Sequence, residues 1–434
     1  MKTIAIAGTF DTKGQELSYI KEKIEAQGVR TLCINTGVFT PSITPDVSNR
    51  EIAAAAGVDM DEIIARKDRA MATAALAEGM EKLLPRLYAQ GKLDGIISIG
   101  GSGGTSMVTP AMRALPLGVP KVMVSTMASG DVSAYVGTSD IMMLPAIVDV
   151  EGLNQISMTV FNNAVNAIVG MVKNRTEIVA DGRPLLAATM FGVTTPCIKT
   201  AKAYLEAQGY EVLVFHATGS GGRTMEDLIR GGFIKGVLDI TTTEWCDEVV
   251  GGVLTAGPHR LEAAAAMGIP QVVSVGALDM VNFGPYETVP EKFKGRKLYR
   301  HNPTVTLMRT TAEEMRQIGS KIAEKLNLAR GKTVLLLPRK GLSGIDVEGA
   351  SFYDAQADEA LFETLREKIS SRVELIEMEN AVNDEAFAMA AAQKLIEDGF
   401  VTVNDKKPAK NYRLKADDEF DCELPEPVPA DAVA

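Results

Sequence analysis

The stretch TIAIAGTFDTKGQELSYIKEKIEAQGVRTLCIN, Thr3 to Asn35, decides the fold. TIAIAG (Thr3–Gly8) is a short unbroken apolar run, as expected of a strand buried on both faces. In ELSYIKEKIEAQG, residues Leu17, Ile20 and Ile24 recur at helical spacing, and Gly28 stands where a helix would stop. VRTLCIN (Val29–Asn35) reads as the next strand. Strand, helix and strand in this order make a βαβ unit, the building block of a parallel sheet.

The same grammar continues outward. LDGIISIG (Leu93–Gly100) and PKVMVST (Pro120–Thr126) read as further strands. The second half restarts with PLLAATMFG (Pro184–Gly192) as strand, CIKTAKAYLEAQG (Cys197–Gly209) as helix and YEVLVFHATG (Tyr210–Gly219) as strand. The halves can be laid side by side: Ile24–Gly37 on Leu205–Gly219, Leu93–Gly101 on Ile234–Thr242, and Leu117–Ser125 on Met267–Val275. Three matches in one order point to an internal duplication. The expected fold is α/β, two Rossmann-like parallel-sheet domains with a C-terminal αβ extension. The first domain is expected over 1–178 and the second over 179–412. A strand–helix–strand–helix block at 331–412 is small for a domain and should extend the second sheet. Residues 413–434 are acidic and Pro-rich, with too little apolar surface to offset their ordering entropy, so a flexible tail is expected there.

A hydrophobic content of 46% and a charged content of 23% fit an ordinary globular chain. The net charge of −11 argues against an extended nucleic-acid-binding surface, which needs clustered Lys and Arg. Cys33, Cys197, Cys246 and Cys422 form no C-x-x-C pair, so neither a zinc ribbon nor a disulfide framework is indicated. The chain opens without a signal-peptide pattern and holds no apolar run of roughly 18 residues, so a cytoplasmic protein free of membrane spans is expected.

IISIGGSGGTS (Ile96–Ser106) carries four glycines after a strand and before a helix. Such a junction turns backbone N–H groups and the positive end of the helix dipole toward an anion. Glycines also permit close approach and positive φ. No Lys follows at the spacing of a phosphate-binding P-loop. The expected phosphate contacts are Gly100, Gly101, Ser102, Gly103, Gly104 and Thr105. GTFDTKG, after the first strand, adds Gly8, Thr9, Asp11, Thr12 and Lys13, with Asp11 free to hold Lys13 or a ribose hydroxyl. HATGSGGRTMEDL (His216–Leu228) repeats the idea. Gly219, Ser220, Gly221, Gly222 and Arg223 are expected to meet substrate, together with Asp239 and Asp279, and Thr224 with Asp227 outlines a capping box.

His216, Glu244, Arg260, His301 and Arg309 are the candidate catalytic residues. They should converge beyond the carboxyl ends of parallel strands, in a cleft between the two domains, for acid–base or phosphoryl chemistry. No ligand spacing marks a metal site. GLSGIDVEGASFYD (Gly341–Asp354) reads as a loop after a strand, either a lid or a third wall of the second cleft.

GTFDTKGQEL, IISIGGSGGTS, HATGSGGRTMEDL, LDITTTEW, GALDMVNFG and HNPTVTLMRTT together resemble a widespread bacterial family of uncharacterised proteins. That family shares its domain with the N-terminal part of the plant tobamovirus-resistance protein, an inhibitor of viral RNA replication. The likeness runs from about residue 1 to about residue 410. It implies two Rossmann-like domains, ATP as the bound cofactor with or without Mg, and a homodimer, and it implies no established reaction. With the residue reading, it points to a nucleotide-binding enzyme acting on a small carboxylated or phosphorylated metabolite. The alternative is an ATP-responsive protein read by a partner.

Overall fold

Strand β1 (Thr3–Gly8) pairs in parallel with β2 (Arg30–Asn35), from Thr3 opposite Arg30 to Gly8 opposite Asn35. Helix α1 (Gly14–Glu25) crosses between them and buries Leu17, Ile20 and Ile24, the three residues its spacing marked out. Gly28 sits at φ +72°, a left-handed turn that suits glycine and ends the helical segment. The computed structural model describes residues 1–175 and 182–397. The chain divides into two units, Met1–Ile178 and Val179–Ala434. The expected acidic tail and the end of the extension lie outside the described residues.

In the first unit the chain continues through α2 (Asn49–Ala56), α3 (Met60–Arg66), α4 (Arg69–Ala89), β3 (Gly95–Gly100) and α5 (Ser102–Ala114). It then runs through β4 (Lys121–Ser125), α6 (Ser133–Val136), β5 (Met142–Pro145) and α7 (Gln155–Lys173). The sheet is parallel, with strand order β2-β1-β3-β4-β5. Alternate residues of β1 serve two cores. Ala5 and Ala7 pack with α2 to α5, while Ile4 and Ile6 pack with α1 and α7. Burial on both faces explains why these strands read as unbroken apolar runs.

The second unit opens with β6 (Leu185–Met190), α8 (Thr195–Ala207), β7 (Glu211–His216), α9 (Ser220–Arg230), β8 (Gly236–Thr241), α10 (Glu244–Val250), α11 (Ala263–Met267) and β9 (Gln271–Gly276). It continues with β10 (Met280–Phe283), β11 (Leu298–Asn302), β12 (Val305–Arg309), α12 (Ala312–Leu326), β13 (Thr333–Pro338), α13 (Ala355–Lys368), β14 (Glu374–Met378) and α14 (Glu385–Ile396). Its main sheet has the order β7-β6-β8-β9-β13-β14. Strands β6 to β9 therefore repeat the order of β1 to β4, and the three aligned sequence pairs fall on β2/β7, β3/β8 and β4/β9. The block after Gly331 adds β13 and β14 to this sheet, and α14 packs beside α8 under it.

Two expectations need correction. The segment from Met280 to Arg309 is a three-stranded antiparallel sheet, β10-β12-β11, so its polar residues do not stand at the carboxyl ends of parallel strands. The loop at 341–354 is anchored internally: Ser343, Asp346 and Phe352 are buried. Among the described residues no helix is long and apolar enough to cross a membrane.

Candidate functional site

In the first unit the strand order places a topological switch between β1 and β3, whose chains leave toward opposite edges. Ligands of open α/β sheets lie outside the carboxyl ends of the strands at such a point. The pairing persists past the strand ends. Thr36 N–H donates to Gly8 O at 2.9 Å and Thr126 N–H to Gly100 O at 3.3 Å.

Helix α5 begins sooner than its sequence indicated. Gly101 is its N-cap, and Ser102, Gly103 and Gly104 already form the first turn. A glycine N-cap offers no side-chain acceptor, and the first intrahelical bond runs from Thr105 N–H to Gly101 O at 3.0 Å. The N–H groups of Ser102, Gly103 and Gly104 therefore have no partner within the helix. The wall beside them is hydroxylic. Thr105 Oγ1 donates to Gly101 O at 2.7 Å and lies 2.6 Å from Ser125 Oγ, which accepts Met127 N–H at 3.0 Å.

Conformation requires none of these glycines, and packing does not require Gly101 or Gly104. None of the four has a left-handed φ, contrary to the expectation of positive φ. A Cβ on Gly101 would lie 3.7 Å from Thr126 Oγ1, and one on Gly104 would lie 3.5 Å from Ile99 O, both ordinary contacts. Gly100 is tighter, at 3.1 Å from Gly104 Cα. What bare backbone leaves here is room for something to approach the N–H groups.

The loop after β1 is fixed differently from its expected use. Lys13 Nζ pairs with Glu151 at 2.6 Å and not with Asp11. Asp11 Oδ2 accepts Phe39 N–H at 2.8 Å, and Thr12 bonds to Thr9 through the two hydroxyls. Gly8 is set against Leu17 in the core.

The second glycine-rich start already holds a carboxylate of the chain. Helix α9 begins at Ser220 with Gly219 as N-cap. Glu244, 1% exposed, accepts Gly219 N–H at 2.7 Å and Gly222 N–H at 3.1 Å through Oε1. The chain thus supplies its own carboxylate where the sequence placed a substrate anion. These glycines are structural: a Cβ on Gly221 would overlap His216 O, one on Gly222 the Glu244 carboxylate, and one on Gly219 Thr255 O. Arg223 donates to that same Thr255 O at 2.9 Å. The outlined capping box is absent, because Thr224 lies inside α9 and bonds back to Ser220 O.

The candidate catalytic residues do not share one centre. Arg260, 1% exposed, gives Nε to Glu244 at 2.6 Å, and Nη1 and Nη2 to Asp239 at 2.6 and 2.7 Å. Asp239, within β8, also accepts from Thr189 Oγ1 at 2.7 Å. Glu226 completes the cluster by accepting Leu261 and Ala263 N–H groups at 2.7 Å each. Burial raises its carboxyl above the usual range against the pull of Arg260.

Arg309 has a separate set of partners. Its Nε donates to Phe352 O at 2.6 Å, Nη1 to Thr310 Oγ1 at 2.8 Å and Nη2 to Asp358 at 2.6 Å. Asp346 lies 3.3 Å from the same Nη2, and Asp279 accepts Ser343 Oγ–H at 2.9 Å. Burial, with neighbouring carboxylates adding to it, pushes Asp346 up to about 9 and Asp279 up to about 6. His216 lies at the end of β7, edge-on to Phe191 with 5.4 Å between ring centroids. His301 is on β11, its ring 6.4 Å from Tyr299. A cavity of about 320 Å³ is lined by Arg296, Lys297, Arg309, Thr311 and Asp354 among others. There Arg296 is bidentate to Glu314, Arg309 is committed inward, and the start of α12 is capped by Thr311. Among the described residues no group of three or more His, Cys, Asp or Glu side chains could hold a metal.

Thr36, Ser98, Ser125 and Thr126 were not singled out from sequence. The available signal was polarity in buried strands: Ser98 and Ser125 interrupt the apolar runs of β3 and β4 and are almost wholly buried.

The chain belongs to the uncharacterised protein family UPF0261, whose N-terminal domain matches residues 2–177 and whose C-terminal domain matches residues 183–398. A UPF0261 protein of Clostridium tetani is 56% identical over 397 residues, covering 91% of this chain and 98% of its own. One from Rhizobium meliloti is 48% identical, covering 90% and 98%. The ToMV resistance protein Tm-1(GCR237) of Solanum lycopersicum is 41% identical over 413 residues. That match covers 90% of this chain and 55% of the tomato protein.

Proposed function

We propose that the first unit binds the phosphates of a nucleotide at the start of α5, and that the nucleotide is ATP. One contrast carries this reading. Of two glycine-rich helix starts, α9 holds the Glu244 carboxylate on the N–H groups of Gly219 and Gly222, whereas α5 keeps the N–H groups of Ser102, Gly103 and Gly104 without a helical partner, beside Gly101 and Gly104, which packing does not demand. A helix N-terminus with bare backbone suits an oxyanion through hydrogen bonds and the helix dipole together. The choice of ATP rests on the family resemblance and not on the geometry.

Glu244, Arg260 and Arg309 spend their polar groups on internal partners, which suits holding the second unit together and not transforming a substrate. Calorimetric titration with ATP and with inorganic tripolyphosphate tests the site. Both should bind the native chain, and Gly103→Val should weaken both about tenfold or more by obstructing approach to the N–H groups. Unchanged affinities in a variant of native thermal stability would move the phosphates elsewhere.

A further inference from the structure

We infer that Thr126 donates its hydroxyl to the phosphate held at the start of α5. The inference rests on that phosphate site and adds to it a residue from the neighbouring strand. Thr126 directly follows β4, which pairs in parallel with β3 and sets Ser125 opposite Gly100. Its N–H donates to Gly100 O at 3.3 Å, so the pairing continues past the strand ends and brings Thr126 alongside Gly101.

Gly101 is the N-cap of α5, with an extended backbone at φ −81° and ψ −158°. From this position a Ser, Thr, Asp or Asn side chain would turn onto the N–H of the second or third helical residue. Glycine leaves that place empty. Beyond the neighbours in its own chain, a Cβ on Gly101 would meet one heavy atom within 4 Å, Thr126 Oγ1 at 3.7 Å. The Thr126 hydroxyl therefore borders the place that a capping side chain would fill, where an oxyanion on the N–H groups of Ser102, Gly103 and Gly104 would lie.

Three hydroxyls stand at this helix start, and their hydrogens can be followed one by one. Thr105 Oγ1 donates to Gly101 O at 2.7 Å, which uses its only hydrogen. In the 2.6 Å contact between Thr105 Oγ1 and Ser125 Oγ the donor is then Ser125, whose oxygen also accepts Met127 N–H at 3.0 Å. Both of these hydroxyls are committed to the chain itself. Thr126 differs: it is half-buried, and its Oγ1 reaches solvent and has no hydrogen-bond partner among the described residues. Its hydrogen is free for a ligand, and a hydrogen bond to an ionised oxygen is about twice as strong as one between neutral groups.

A hydroxyl both donates and accepts, so the rival role for Thr126 is an external cap that accepts an N–H of α5. The two roles differ in sign. A donor to the ligand adds affinity and leaves the free chain's stability unchanged. A cap adds stability to the free chain and competes with the ligand.

The test titrates inorganic tripolyphosphate into the native chain, Thr126→Val, Thr126→Ser and Gly103→Val, with a thermal melt of each. Valine keeps the branched shape without the hydroxyl, and serine keeps the hydroxyl. Thr126→Val should bind about tenfold more weakly with its melting temperature unchanged, and Thr126→Ser should stay within about threefold of the native affinity. Native affinity in Thr126→Val, with Gly103→Val still weakened, overturns the hydroxyl contact and leaves the phosphate site standing. A lower melting temperature in Thr126→Val with equal or tighter binding makes Thr126 a cap instead. Equal losses in the valine and serine variants assign the effect to side-chain packing and also overturn the contact. If the native chain does not bind tripolyphosphate, or Gly103→Val binds it as the native chain does, the phosphate site falls and the Thr126 contact with it.

Discussion

Arg260 and Arg309 illustrate what a buried charge does in this chain. Each is enclosed by several carboxylates, and each guanidinium nitrogen has a partner. Removing one partner of a buried ionic cluster leaves charge unpaired and costs about 3–5 kcal/mol. Arg260→Ala should lower the stability of the second unit by that order. Urea unfolding followed by fluorescence of Trp245, the one tryptophan in the sequence and part of that unit's core, measures it. A loss under about 1 kcal/mol would mean that the cluster is not held as an ionic unit. Asp346 supplies a pH dependence. Its carboxyl is raised to about 9 in the folded chain, against an ordinary 3.8. The folded state therefore holds the extra proton, and this contribution to stability, complete below about pH 3.8, is lost as pH rises toward 9. Asp346→Asn should flatten the fall in urea midpoint between pH 6 and pH 8.5, and an undiminished fall would remove Asp346 as its source.

At the scale of elements, α5 and α9 begin with similar glycine patterns and opposite surroundings. The expected behaviour of their glycines differs in sign. Gly104→Ala should keep or raise the melting temperature, since φ is unstrained, the nearest contact is 3.5 Å, and alanine favours a helix by about 0.5–1 kcal/mol. The same variant should bind tripolyphosphate more weakly. Gly221→Ala should lower the melting temperature, because its Cβ would run into the backbone at His216. A thermal melt and one titration per variant check both. The helix–strand grammar, the duplicated order and the glycine-rich starts were legible because periodicity and glycine placement are local. The filling of α9 was not, because Glu244 arrives from 25 residues beyond Gly219 and only the folded chain shows where its carboxylate points. The antiparallel sheet of β10, β11 and β12 was missed for a related reason: strand direction depends on the pairing partner, which a short apolar run does not encode.

Across the whole molecule, two sheets share the order of their first four strands yet diverge beyond the third strand of each. After β3 comes a bare glycine start; after β8 come Thr242, Thr243 and then Glu244, whose carboxylate closes the neighbouring helix start. With the proposed phosphate site after β3 only, titration should show one nucleotide per chain and not two. Amide hydrogen exchange with and without ATP reads the difference directly, because free N–H groups gain protection where a ligand bonds them. Protection is expected in peptides spanning Gly100–Thr105, with no change over Gly219–Arg223. Protection over Gly219–Arg223 with none at Gly100–Thr105 would contradict the assignment of the phosphate site.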